Sequence, residues 1–185
     1  MGKIDDLADR YADQVSVPWI PNLPGAQRVM LLVYEKDIER LLRARIGEFE
    51  SRTRAAGHGW TLVDMTTWFA EWMIGIDYAE SYFESPELLE MKLEGDFKKH
   101  VARRLEAIIA ETDENTVVAV AGTASMYGFL RISELIRDVE QAVPGRLLVF
   151  FPGSKDGSNY RLLDARDGWN YLANGITLHG GGTTT

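Results

Sequence analysis

The residues able to do chemistry stand where strands should hand over to helices. In VVAVAGTASMYGF, residues 117–129, an apolar run leads through a glycine-bearing loop into a helical stretch. Backbone amides and a helix N-terminus at such a junction can cradle an anion. A phosphate-binding loop also needs Lys and Ser/Thr after its second glycine, to neutralise phosphates and hold magnesium. Here Gly128 is followed by Phe129 and Leu130. The loop is compatible with a degenerate, non-hydrolysing nucleotide-like fold, but an ordinary strand-to-helix turn is favoured. Ser125 has the place of a hydrolase nucleophile. Thr123 and Tyr127, however, stand where the G-x-S-x-G elbow requires glycines, so capping or turning is its favoured role.

Glu35 and Asp64 follow apolar runs, as does the acid that holds magnesium in nucleotide hydrolases. Without the lysine loop, helix capping explains them equally well. An enzyme or nucleotide-binding module using this edge, with Asp64 and Ser125 at work, is the rival reading. His58, His100 and His179 include no pair at i, i+3 or i+4, so no local zinc motif can be assembled. His58, among glycines at a helix end, is expected to meet carbonyls. Lys98, Lys99, His100, Arg103 and Arg104 form a basic cluster on a helix. Glu90, Glu94, Asp96 and Glu106 surround it, and pairs such as Glu94–Lys98 account for it. Direct DNA contact through Lys98–Arg104 is a third reading. No catalytic, cofactor-binding or metal-binding residue is expected.

Composition narrows the classes. Twenty basic against 28 acidic residues give a net charge of −8, which opposes non-specific wrapping of nucleic acid. With 45% hydrophobic and 26% charged residues in 185, a single α/β domain over residues 1–185 with a full core is expected. The absence of cysteine excludes disulfides, thiolate metal sites and cysteine catalysis. The acidic start, MGKIDDLADRYADQ, has no apolar signal region, and no apolar run reaches a membrane span. A soluble, cytoplasmic protein is expected.

The elements follow from periodicity. Ile4, Leu7 and Tyr11 share one face of a short helix, and three prolines between Val17 and Gly25 keep the next segment extended, pinned by Trp19 and Ile20. Core strands are predicted over residues 26–34 (an unbroken apolar run from Val29), 60–65, 117–121 and 147–151. Short additional strands are expected near Arg161–Leu163 and Ile176–Leu178. Ile38, Leu41, Leu42, Ile46 and Phe49 predict one helix capped by Asp37 and ended by Gly57 and Gly59. Ser85-Pro86-Glu87 predicts the start of a long helix reaching about Glu111, and a further helix carries Phe129, Ile132, Ile136, Val139 and Val143. Residues 180–185 are expected to be a flexible tail. The alternation predicts a mostly parallel, three-layer sheet flanked by helices, like a nucleotide hydrolase without its phosphate-binding loop. Any pocket belongs at the strand-end edge with Glu35, Lys36, Asp64, Gly122–Gly128 and Pro152–Asn159.

Two segments are dense in aromatics. Trp68, Phe69, Trp72, Tyr78, Tyr82 and Phe83 alternate with acids and read as core or, in part, as an interface. In RLLVFFPGSKDGSNYRLLDARDGWNYL, residues 146–172, a strand is expected to stop at Pro152-Gly153. A polar hinge, Ser154–Asn159, then leads to Tyr160, Arg161, Trp169, Asn170 and Tyr171. Such side chains recognise partners well, and Arg161–Asp164 and Arg166–Asp167 could be ion pairs. Candidate partner-binding residues are Tyr160, Arg161, Trp169 and Tyr171, with Met126 and Tyr127 as a second patch.

QRVMLLVYEKDIERLLRARIGEFE, AGHGWTLVDMT, ESYFESPE, NTVVAVAGTASMYGFLRISELI and GRLLVFFPG followed by NYRLLDARDGWNYLA together resemble the BrxB family of the bacteriophage-exclusion (BREX) defence systems, from about Ile4 to Leu178. The resemblance implies a cytoplasmic, non-catalytic subunit of an antiviral assembly. Its expected role is that of an adaptor binding a PglZ-like phosphatase-like protein, with a BrxC-like ATPase and a PglX-like methyltransferase as further partners. DNA would be reached only indirectly, and no membrane is involved. The family offers no catalytic residues to carry over.

Overall fold

The computed structural model describes residues 2–77, 79–165 and 168–178. Tyr78, the Arg166–Asp167 pair, His179 and the expected tail at 180–185 lie outside them, as does the side chain of Phe83. In chain order the elements are α1 (Lys3–Val15), β1 (Val29–Tyr34), α2 (Glu39–Ala44), α3 (Ile46–Ala55), β2 (Gly59–Asp64), α4 (Trp68–Gly75), α5 (Ala79–Glu84) and α6 (Pro86–Lys92). They continue as α7 (Lys98–Ala110), β3 (Thr116–Ala121), α8 (Ile132–Val139), β4 (Arg146–Asp156), β5 (Asn159–Leu162), β6 (Trp169–Asn170) and β7 (Asn174–Ile176).

The main sheet runs β2-β3-β4-β1-β7, and every pairing along that path is parallel. Each central strand is an unbroken apolar run because both its faces are covered. In β1, Val29, Leu31 and Val33 enter one layer, whereas Met30, Leu32 and Tyr34 enter the other. The first layer packs beneath α4, α7 and α8; the second lies beneath α1, α2 and α3. The expected three-layer α/β architecture is observed, with an antiparallel extension, β4-β5-β6, added at one end.

Several expected boundaries move. Residues 25–28 form a 3-10 turn, so the first strand starts at Val29 rather than at residue 26. The single helix expected after Asp37 is split at Arg45, whose guanidinium reaches Glu48 at 2.5 Å and also pairs with Asp5 of α1. Leu41 faces solvent. Ser85 makes no side-chain cap, and between α6 and α7 the chain passes through a π-helical stretch, Leu93–Phe97. Phe129 and Val143 lie outside α8, whose buried stripe is Ile132, Leu135, Ile136 and Val139. Trp19 does fasten its segment, stacking on His58 at 3.7 Å under the Arg146 guanidinium, whereas Ile20 is exposed.

The largest departure is at Pro152-Gly153. Rather than stopping at Phe151, β4 continues to Asp156, turns at Gly157-Ser158, and pairs back through β5. Gly153 makes this pairing fit, since a Cβ there would lie 1.9 Å from the Arg161 carbonyl oxygen. The residues read as a polar hinge are therefore a β-hairpin.

Candidate functional site

The chain changes face between neighbouring strands. The helices after β1 cover one side of the sheet, and those after β2 and β3 cover the other. Ligands of open α/β sheets bind outside the strand ends at such a point. A cleft of about 810 Å³ opens there, at the ends of β1 and β4, lined by Tyr34, Glu35, Lys155, Asp156, Tyr160 and Tyr171 among others. The β4-β5 hairpin forms part of its wall. The Lys155 ammonium lies 5.8 Å from the centre of the Tyr160 ring. Tyr34 donates its hydroxyl proton to Glu39, and burial together with that carboxylate pushes its pKa far up, so it serves as a neutral wall.

Asp64 closes β2, and Ser125 lies in the turn that follows β3. Asp64 accepts from the Thr66 amide at 3.0 Å and from Arg43 at 2.6 Å. Burial opposes its ionisation, yet these bonds and the Arg43 charge outweigh that and hold its pKa below the usual value. Gly122, with φ of 78°, lets the next loop approach, because a Cβ there would lie 2.7 Å from the Asp64 carboxylate. Ser125 follows within a 3-10 turn, where Thr123 donates to the Phe150 carbonyl at 2.8 Å. The His58 ring nitrogen Nδ1 contacts the Asn115 side-chain Oδ1 at 2.6 Å, and its backbone amide donates to the Thr53 carbonyl at 3.1 Å. Among the described residues no group of three or more His, Asp and Glu is arranged to hold a metal ion.

Four of the six expected recognition residues lie in the core rather than on the surface. Met126, Tyr160, Trp169 and Tyr171 are 0, 1, 8 and 7% exposed, and all belong to the larger core layer. The β4-β5-β6 extension folds the three aromatics inward, with Trp169 stacked on Tyr171 at 4.2 Å and Tyr160 packed edge-on against Phe151. Arg161 and Tyr127 remain exposed. Asp164 pairs with Lys36, not with Arg161.

The aromatic excursion between β2 and α7 divides differently. Trp68, Trp72 and Met73 are buried, and Phe69 stacks on Phe129 at 3.9 Å. Beyond them the excursion turns outward: Ile74 is 86% and Met91 72% exposed, Leu88 is half exposed, and α6 contributes no buried residue. Leu89, and Leu93 just beyond α6, form a partly buried stripe packed against the larger core layer. The missed signal was Leu88 and Met91, apolar residues spaced i, i+3 off that stripe.

The basic cluster is also divided. Lys98 pairs with Glu134 at 2.7 Å rather than with Glu94, and Arg104 reaches Glu71 at 2.6 Å while lying 4.2 Å over the Trp68 ring. That leaves Lys99, His100 and Arg103 facing outward. Among the described residues no helix is long and apolar enough to cross a membrane.

Comparison with known proteins adds the family. No curated protein and no solved structure matches the chain. The family model described as BREX protein BrxB matches residues 66–174, from the start of the excursion through the aromatic extension. With more than half of its 185 residues inside that match, the chain belongs to the BrxB family of BREX proteins.

Proposed function

We propose that this component of a BREX phage-defence system is a non-catalytic adaptor that grips a PglZ-like protein partner through its α4–α6 arm. The observation that carries the reading is the exposure of Ile74, Leu88 and Met91 on an arm whose last helix buries nothing. Large aliphatic side chains held out on helices lose water only against another surface, and burying one fully is worth about 1.5–3 kcal/mol. Glu71, Asp77, Glu80, Glu84, Glu87 and Glu90 are exposed along the same arm. The matching partner face is apolar with a basic rim, which would also speed the encounter. Arg161 and Tyr127 are secondary contacts.

Coexpression tests this. Tagged chain is expected to retain a PglZ-like partner through gel filtration, and Ile74→Glu with Met91→Glu is expected to release it. Full retention by the folded double variant would remove the arm from the interface.

A second reading is favoured by the switch-point cleft, whose position suits a small ligand in an α/β sheet. Calorimetry with ATP and magnesium separates the two. Micromolar binding lost on Lys155→Ala supports the ligand reading; no heat of binding leaves the cleft as a structural crevice.

A further inference from the structure

Beside α7, a second pocket of about 550 Å³ is lined by Trp72, Asp96, Lys99, His100, Arg103 and Arg104. Its charged groups are not equally occupied. Arg104 is held by Glu71, and Asp96 by Lys92. Lys99 and Arg103, at i, i+4 on the exposed side of α7, enter no hydrogen bond or ion pair among the described residues. Like charges at that spacing repel. Here they are converged into a concavity, in a chain whose net charge is −8.

We infer that this pocket is a binding site for a compact anion of the phosphate class. The planar guanidinium of Arg103 can take two oxygens side by side, and the Lys99 ammonium supplies a mobile point charge on the same group. His100 and the largely buried Trp72 also line the pocket. The alternative source of phosphate, a nucleic-acid backbone, is disfavoured by the surroundings. Affinity for a polyanion grows with the number of phosphates neutralised, whereas here Lys99 and Arg103 alone of the lining Lys and Arg lack an ion pair among the described residues, and Asp96 stands in the same lining. The inference does not rest on the adaptor reading: the pocket borders α4 at Trp72, but its cations are on α7, whereas that reading uses Ile74, Leu88 and Met91.

Titration calorimetry of the full chain with pyrophosphate at low salt is expected to show saturable 1:1 binding. Lys99→Ala and Arg103→Ala should each weaken it by about tenfold or more, the loss typical of one charge-assisted hydrogen bond. Arg40→Ala, an exposed arginine on α2, should leave it unchanged. All three side chains are exposed, and circular dichroism would confirm that each variant folds. Absence of saturable binding at millimolar pyrophosphate overturns the site, as does equal affinity in the Lys99→Ala, Arg103→Ala double variant. Tighter binding of a single-stranded oligonucleotide, with a salt dependence steeper than two phosphate contacts produce, overturns it in favour of nucleic acid.

Discussion

Two segments of this chain are rich in Trp, Tyr and Phe, yet they are closed against the core by different means. In the C-terminal extension, Tyr160, Trp169 and Tyr171 are folded into the core by strands β5 and β6. In the α4–α6 arm, Trp68 and Trp72 are buried while the aliphatic Ile74, Leu88 and Met91 remain in solvent. The difference teaches that aromatic density marks where a chain can close on itself as readily as where it meets another. What separates the two is whether backbone pairing is on hand to fold the segment back. The extension has β4 as a template; the arm has only short helices.

The strongest way to break this contrast is Trp169→Ala. If the extension is core, losing the indole should cost about 3–5 kcal/mol, as for other buried Trp or Phe truncations, and urea unfolding should show it. Trp169→Phe should cost much less, because it keeps most of the ring stack and the buried indole nitrogen has no hydrogen-bond partner among the described residues. A Trp169→Ala variant as stable as the parent would return the extension to the surface.

Next in size is the Tyr171 hydroxyl, which donates to Glu140 and so ties the extension to the end of α8. Tyr171→Phe should cost about 1.5–3 kcal/mol, the range for bonds to charged groups. Burial first, and then the Glu140 carboxylate, raise the Tyr171 pKa far above its ordinary value of 10. For a group whose folded pKa is raised, the contribution is complete below the unfolded pKa and is lost as pH rises above it. Stability should therefore fall with alkali above about pH 10. Tyr11, Tyr34 and Tyr160 are raised as well, each with burial as its leading cause. Tyr171→Phe should thus reduce the alkaline slope without abolishing it. A slope unchanged in the variant would mean that Tyr171 titrates as it does in the unfolded chain.

Much of the scaffold was legible because its signals are local. The unbroken apolar runs of β1, β3 and β4 require cover on both faces, and the pattern of alternating helices then dictates parallel pairing. What was not legible depended on partners remote in sequence. Arg45 breaks its helix while bound to Asp5, forty residues earlier. Pro152-Gly153 looks like a strand end until β5 lies alongside, where the missing Cβ of Gly153 is what the Arg161 carbonyl needs. The burial of Tyr160 and Trp169 follows from that pairing, so the candidate surface could not be read before it. By contrast, Leu88 and Met91 were visible all along as apolar residues on the wrong side of an amphipathic helix.

The smallest stability effect is also the sharpest test of the contrast. Ile74→Glu and Met91→Glu replace side chains already surrounded by water, so unfolding free energies should move by no more than about 0.5 kcal/mol, the usual range for surface changes. If the arm were instead packed as the extension is, each would bury an unpaired carboxylate and destabilise the chain by several kcal/mol. Stability near that of the parent, combined with loss of the partner, places the function of the arm outside the fold. Retained partner with lost stability would assign Ile74 and Met91 to the core and make the two aromatic segments alike.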